Sequence, residues 1–83
     1  MRLAAIDVGS NSIRLLIVER LHDQWQVIER QNFMTRIGQT VKNSGRIDKD
    51  SIRASMEALH KIAAILRQQQ VDYYRAEIGR AHV

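Results

Sequence analysis

The stretch "AIDVGSNSIRLLIVE", residues 5–19, decides the fold. Two apolar runs, residues 3–8 and 13–18, flank the short polar string Gly9-Ser10-Asn11-Ser12. Runs this short and this continuously apolar read as strands covered on both faces. The polar string is far too short for a crossover connection, so the two strands pair antiparallel as a hairpin. Asp7 interrupts the first run just before the bend, and Arg14 is the first polar residue after it.

Working outward, "LHDQ" (residues 21–24) supplies turn residues, and residues 25–34 form a third strand. Trp25 and Val27 flank Gln26, but the middle, "ERQN", is polar, which marks an edge or partly exposed strand. "TRIGQTVKNSGRI" (residues 35–47) holds two glycines and an Asn-Ser-Gly turn signal, and predicts a loop with at most a short helical turn. From Asp48 the period changes. Ile52, Met56, Leu59, Ile62, Ala63 and Leu66 fall on one helical stripe that should cover the sheet, with Arg53, Glu57, Lys61 and Arg67 pointing away. Asp48 is a good N-cap, and Ile47 with Ile52 forms a hydrophobic staple. Asp50 and Glu57 early and Lys61 and Arg67 late suit the dipole of a helix over 49–70. "VDYYRA" then begins another strand. The order is strand, strand, strand, helix, strand, with the last strand parallel after a crossover.

Composition narrows the function classes. At 83 residues the chain is one small domain or a piece of a larger one. Without cysteine it has no disulfide and no thiolate metal site, which fits a cytoplasmic setting. No apolar run approaches the roughly 20 residues of a membrane span. Nor does the start read as a signal peptide, because Arg2 is followed by a short run that Asp7 breaks. The net charge is +4 and the pI about 10.1. The basic residues are nonetheless scattered among acids, and Trp25, Phe33, Tyr73 and Tyr74 form no basic-aromatic platform for bases. A small anionic ligand, or simple solvation, accounts for the charge. His22, His60 and His82 fall at no metal-binding spacing; the first reads as a turn residue and the second as helix surface. Trp25 reads as a hydrophobic anchor, and Met34 and Met56 as core filler.

The polar bend is where chemistry can reside. Gly9 allows close backbone approach and a positive φ. Successive N–H groups in such a turn make an anion-binding nest, to which Ser10, Asn11 and Ser12 add side-chain donors. A P-loop or dinucleotide fold would open a helix here; the strand that follows argues against both. Asp7 adds a constraint. A carboxylate about 4 Å from a phosphate is repelled by on the order of 4 kcal/mol at an effective dielectric near 20, unless a cation intervenes. Mg²⁺ is the simplest such ion, since it commonly takes one or two carboxylates, water and phosphate oxygens. Arg14 can add a charge-assisted bond to a phosphate. Asp, Gly, Ser and Asn also make ordinary turns, with Asp7 as a cap, and the residue types alone leave both readings open.

The string "IDVGSNSIRLLIVE", together with "MTRIGQTVKNSGRIDKDSIRASMEALHKIAAIL", resembles the exopolyphosphatase / guanosine pentaphosphate phosphohydrolase (Ppx/GppA phosphatase) family of the actin-like ATPase superfamily. The resemblance covers roughly residues 1–76. It implies an α/β, ribonuclease-H-like half-domain: three antiparallel strands, one crossover helix and the start of a further strand. It also implies Mg²⁺-dependent release of terminal phosphate from polyphosphate or guanosine pentaphosphate. By position it makes Asp7 the metal-associated aspartate. Gly9, Ser10, Asn11 and Ser12 become the phosphate cradle, and Arg36 an arginine that meets the phosphate chain. The glutamate that activates water and a second phosphate loop are expected beyond residue 83. "EIGRAHV" (residues 77–83) departs from the family pattern and reads as a frameshift or cloning remnant. Two rivals stand beside this reading: a sugar kinase or other actin-like ATPase segment, and a non-catalytic, truncated binding module. If apolar helix surface stays uncovered, the chain is expected to self-associate.

Overall fold

The computed structural model describes residues 1–78. Strands β1 (Arg2–Val8), β2 (Ser12–Leu21) and β3 (Gln24–Met34) lead into helices α1 (Ile37–Ser44) and α2 (Lys49–Gln68) and strand β4 (Tyr73–Ile78). The sheet order is β3-β2-β1-β4. β1 pairs antiparallel with β2, and β2 with β3, while β4 returns parallel to β1. This is the topology expected of the ribonuclease-H-like half-domain. Residues 79–83 of the atypical tail lie outside the described residues; Glu77 and Ile78 pair with Asp7 and Val8 in β4.

Pleating sorts the side chains. Ala4 and Ile6 of β1 and Ile13, Leu15 and Ile17 of β2 face α2, whose Ala58 and Ile62 complete the core; Leu15 and Ile17 are 1% and 0% exposed. The alternate residues, among them Ala5, Asp7 and Arg14, are exposed on the opposite face, which no described helix covers, so the cover on both faces expected from the apolar runs of β1 and β2 is not found among the described residues. The β2–β3 connection is the expected turn, made tight by His22 (φ 51°) and Asp23 (φ 66°). Two successive positive-φ residues match the right-handed twist of the flanking strands. A bulge opposite Ile17 and Val18 leaves Ile28 unpaired and turns it toward the core.

Three expectations are corrected. Residues 35–47 hold an eight-residue helix, α1, rather than a loop with one turn. Gly45 ends it in the left-handed region (φ 75°), donating its N–H to the Val41 carbonyl. Second, α2 begins as expected, with the Asp48 side chain accepting from the Ser51 amide at 2.7 Å, but only the later part of the expected stripe, Ile62 and Leu66, meets the core. Ser51, Ala58 and Ile62 are buried, whereas Ile52, Met56 and Leu59 are 50%, 50% and 42% exposed. Small residues on the contact line let the helix approach the sheet closely, and the bulky stripe rotates toward solvent. Third, Trp25 and Met34 are exposed rather than buried, with Arg20 lying over the Trp25 ring at 5.4 Å.

One polar cluster ties the ends of the sheet to α2. The Arg2 guanidinium reaches Glu19 at 2.8 Å and the Gln69 carbonyl at 2.8 Å, while its amide donates to Asp72 at 2.8 Å. The Arg2 bond, reinforced by the Met1 amine at 2.9 Å, holds the Glu19 carboxyl below its ordinary range. A carboxylate with a depressed folded-state pKa stabilises the fold above its unfolded value, near pH 4.3, and that stabilisation is lost as the pH falls further. Glu19→Gln should therefore lower the thermal midpoint at pH 7. Below about pH 4 the wild-type and variant midpoints should converge, as a calorimetric pH series would show.

Candidate functional site

The bend is built by the end of β1, the start of β2 and the first turn of α1. The Gly9 N–H donates to the Ser12 carbonyl at 2.8 Å, closing the tip. Gly9 is not in the left-handed region; its requirement is space, because a Cβ there would stand 3.2 Å from the Ser12 carbonyl oxygen. The Ser10 and Asn11 acceptors of the tip turn toward α1 and the two residues that lead into it. The Asn11 carbonyl receives the Thr35 and Arg36 amides at 2.9 and 3.0 Å, and the Ser10 carbonyl receives the Gly38 amide at 2.6 Å. The Asn11 side-chain oxygen receives the Gln39 amide at 3.0 Å. Asn11 thus caps α1 from across the fold, where the local N-cap residue, Arg36, makes no side-chain bond. With its acceptors spent on α1, the tip keeps its donors. Among the described residues, the Ser10 and Asn11 amides and the Ser10 hydroxyl find no protein acceptor.

Gly38 makes this contact. A Cβ at that position would lie 2.9 Å from the Ser10 Cβ and 3.2 Å from both the Ser10 carbonyl and the Asn11 Oδ1. Arg36, just before α1, is exposed and held at φ 60°. Such a backbone costs a non-glycine residue on the order of 1–3 kcal/mol and persists only where its surroundings impose it. Here the imposing contact is its amide bond to Asn11. The buried Thr35 hydroxyl beside it has no hydrogen-bond partner among the described residues.

The candidate residues divide between two depressions. Asp7 and Arg14 lie opposite one another on β1 and β2 and line one of about 500 Å³ on the open sheet face, with Arg30 and Asn32 of β3. The pleat puts Ser12 on that face too. Ser10 and Asn11 line the other, about 470 Å³, with Gly38, Gln39 and Lys42 of α1. Asp7 is exposed, and among the described residues it accepts no hydrogen bond and joins no ion pair. It lies within a strand and caps no turn, so the local turn reading of this residue does not describe it. An exposed, unpaired carboxylate is of the kind that can hold a Mg²⁺ ion bound mostly by water and substrate oxygens, while the free Ser10 and Asn11 donors belong to the other depression. Sequence reasoning missed Gly38, Gln39, Lys42, Arg30 and Asn32. Their contribution depends on the docking of α1 and on the β2–β3 register.

No protein-family model matches the chain. Individual proteins do. Exopolyphosphatase 2 of Mycobacterium tuberculosis is 38% identical over 73 residues, covering 78% of this chain and 22% of that protein. A solved structure of the Aquifex aeolicus PPX-GPPA enzyme superposes with a TM-score of 0.86 at 31% identity, covering 98% of this chain and 27% of that one. An exopolyphosphatase from Cytophaga hutchinsonii, at 23% identity, shares the fold with a TM-score of 0.83 over 94% of this chain and 25% of its own. The chain thus spans about a quarter of the length of the relatives it matches. No helix among the described residues is long and apolar enough to cross a membrane.

Proposed function

We propose that this chain, which matches a segment of the Ppx/GppA phosphatases in sequence and in fold, supplies the first phosphate-binding loop of a Mg²⁺-dependent phosphohydrolase acting in the cytoplasm. The substrate would be inorganic polyphosphate or guanosine pentaphosphate. The observation that carries this reading is the polarity of the tip. The Ser10 and Asn11 carbonyls accept from the segment that opens α1, which leaves the Ser10 and Asn11 N–H donors free at the tip that follows the strand bearing the unpaired Asp7 carboxylate. Carbonyl lone pairs repel an oxyanion and N–H groups attract it, so the α1 contact makes the loop a donor surface.

The roles follow from position. Gly9 keeps the turn narrow, and the Ser10 and Asn11 amides with the Ser10 and Ser12 hydroxyls donate to phosphate oxygens. Arg14 and Arg36 supply charge-assisted donors to the same or a neighbouring phosphate. Asp7 would hold Mg²⁺, which, when bound, neutralises phosphate charge and polarises the phosphorus. The water-activating glutamate is assigned to another part of the protein: Glu19 is held by Arg2, Glu29 lies along β3, Glu57 is exposed on α2, and Glu77, the β4 neighbour of Asp7, is ion-paired with Arg75 at 3.2 Å. The 83 residues alone should therefore bind but not turn over.

Calorimetric titration with inorganic tripolyphosphate, with and without Mg²⁺, tests the reading. Mg²⁺ should tighten binding roughly tenfold, while phosphate release from polyphosphate stays at background. Equal affinity in both conditions would remove Asp7 from the site. Release that is abolished by Asp7→Ala would overturn the assignment of the water-activating group to another part of the protein.

A further inference from the structure

We infer that Arg30 of β3 is a further binding residue. With Arg14 it forms a two-guanidinium track on the open sheet face that engages the phosphates beyond the one at the loop, so that the site selects condensed chains over single phosphates. This rests on the phosphate-loop reading above. Three observations carry it. Register puts Arg14 opposite Asn32 and Arg30 opposite Leu16, so the two arginines are diagonal neighbours on one face, about 7–8 Å apart at the backbone. Both line the depression that contains Asp7. Among the described residues neither forms an ion pair, although four arginines elsewhere, Arg2, Arg20, Arg53 and Arg75, each do.

The chemistry is that of a linear polyanion. Two guanidinium groups borne on diagonal positions of a rigid strand pair, neither in an ion pair among the described residues, offer an anion two charged donors to bridge. Each planar fork presents paired N–H donors that match two oxygens of one phosphate. Orthophosphate at the loop is too short to reach from the tip past Arg14 to Arg30; a condensed phosphate continues along that line. Asn32, between them on β3, adds an amide donor.

The experiment compares orthophosphate with inorganic tripolyphosphate, both with Mg²⁺, for the wild-type chain, Arg30→Gln, Arg30→Lys and the helix-surface control Arg53→Gln. Wild type should prefer tripolyphosphate. Arg30→Gln should raise the tripolyphosphate Kd about tenfold and the orthophosphate Kd less than twofold. Arg30→Lys, which keeps the charge without the fork, should fall between. Arg53→Gln should change either value less than twofold. Circular dichroism confirms that each variant folds, as expected for exposed positions. The inference is overturned if Arg30→Gln and Arg53→Gln behave alike, if Arg30→Gln weakens both ligands equally, or if wild type shows no chain-length preference. It is equally overturned if an oligodeoxynucleotide of matched charge binds as tightly and loses as much. None of these outcomes touches the loop reading, which is judged by the Mg²⁺ dependence of the wild type.

Discussion

Gly38→Ala should destabilise the chain by about 1–3 kcal/mol and weaken tripolyphosphate binding by an order of magnitude, the reverse of what helix chemistry alone dictates. In an ordinary helix interior, replacing glycine with alanine stabilises by roughly 1 kcal/mol, because glycine loses more backbone freedom on folding. Gly38 lies in the first turn of α1 with its own Cα against the hairpin tip. The added methyl would arrive 2.9 Å from the Ser10 Cβ, closer than two carbons can stand. Relief requires α1 to retreat, and retreat breaks the bonds that join the elements: Gly38 N–H to Ser10 at 2.6 Å and Gln39 N–H to the Asn11 side chain at 3.0 Å. Overpacking of this kind typically costs 1–3 kcal/mol, which exceeds the propensity gain. The binding loss follows because released carbonyls of Ser10 and Asn11 are free to swing outward, where they oppose an anion. Denaturant unfolding and tripolyphosphate titration of the one variant read both effects. A stabilised variant with unchanged binding would show that the α1 contact does not shape the loop.

That contact also marks the boundary of what the sequence reveals. The sheet was legible because each of its signals is local: continuous apolar runs at β1 and β2, a polar middle in β3, turn residues at His22 and Asp23, and a change of period at Asp48. Helix α1 was not, because its N-terminal carbonyl and side-chain partners come from Asn11, far away in sequence, while its own sequence carries a glycine and no capping residue. The inward line of α2 was misjudged for a related reason. The expected stripe ran through Ile52, Met56 and Leu59 to Ile62 and Leu66, and Ser51 and Ala58 lie on the line beside it that hydrophobicity does not favour. The sheet surface keeps Ile62 and Leu66 of that stripe and takes Ser51 and Ala58 in place of its first half, because serine and alanine permit close approach. At the site, the string from Asp7 to Arg14 announced a phosphate loop, yet nothing local divides it into two sides. Asp7, Ser12 and Arg14 go to the open sheet face by strand parity, and Ser10 and Asn11 go to α1 at the tip. Arg30 joins the first group through a register that the bulge at Ile28 shifts by one residue, which no reading of β3 in isolation recovers.

Asp7→Asn should change the sign of its effect with the metal. Without Mg²⁺ the variant should bind tripolyphosphate about fivefold more tightly than wild type; with Mg²⁺ it should bind at least tenfold more weakly. The first arm is Coulombic. A carboxylate about 4 Å from a phosphate oxygen repels it by about 1 kcal/mol where water screens the pair, and the exposure of Asp7 puts it near that limit. Asparagine removes the charge at almost constant shape. The second arm comes from the loss of the unpaired carboxylate next to the bend, since the amide that replaces it is a much poorer ligand for a hard divalent ion, and among the described residues its carboxylate neighbour Glu77 is already ion-paired with Arg75. The fold itself should be indifferent. Asp7 accepts no hydrogen bond among the described residues, and its cross-strand neighbour Arg14 forms no ion pair with it, so the thermal midpoint should move by no more than the equivalent of about 0.5 kcal/mol. The pair of arms separates the roles an acid can play here. A structural aspartate would lose stability and shift both affinities together. A residue that merely repels anions would gain affinity with and without the metal. Only a carboxylate that joins a cation to the bound phosphate gives curves that cross.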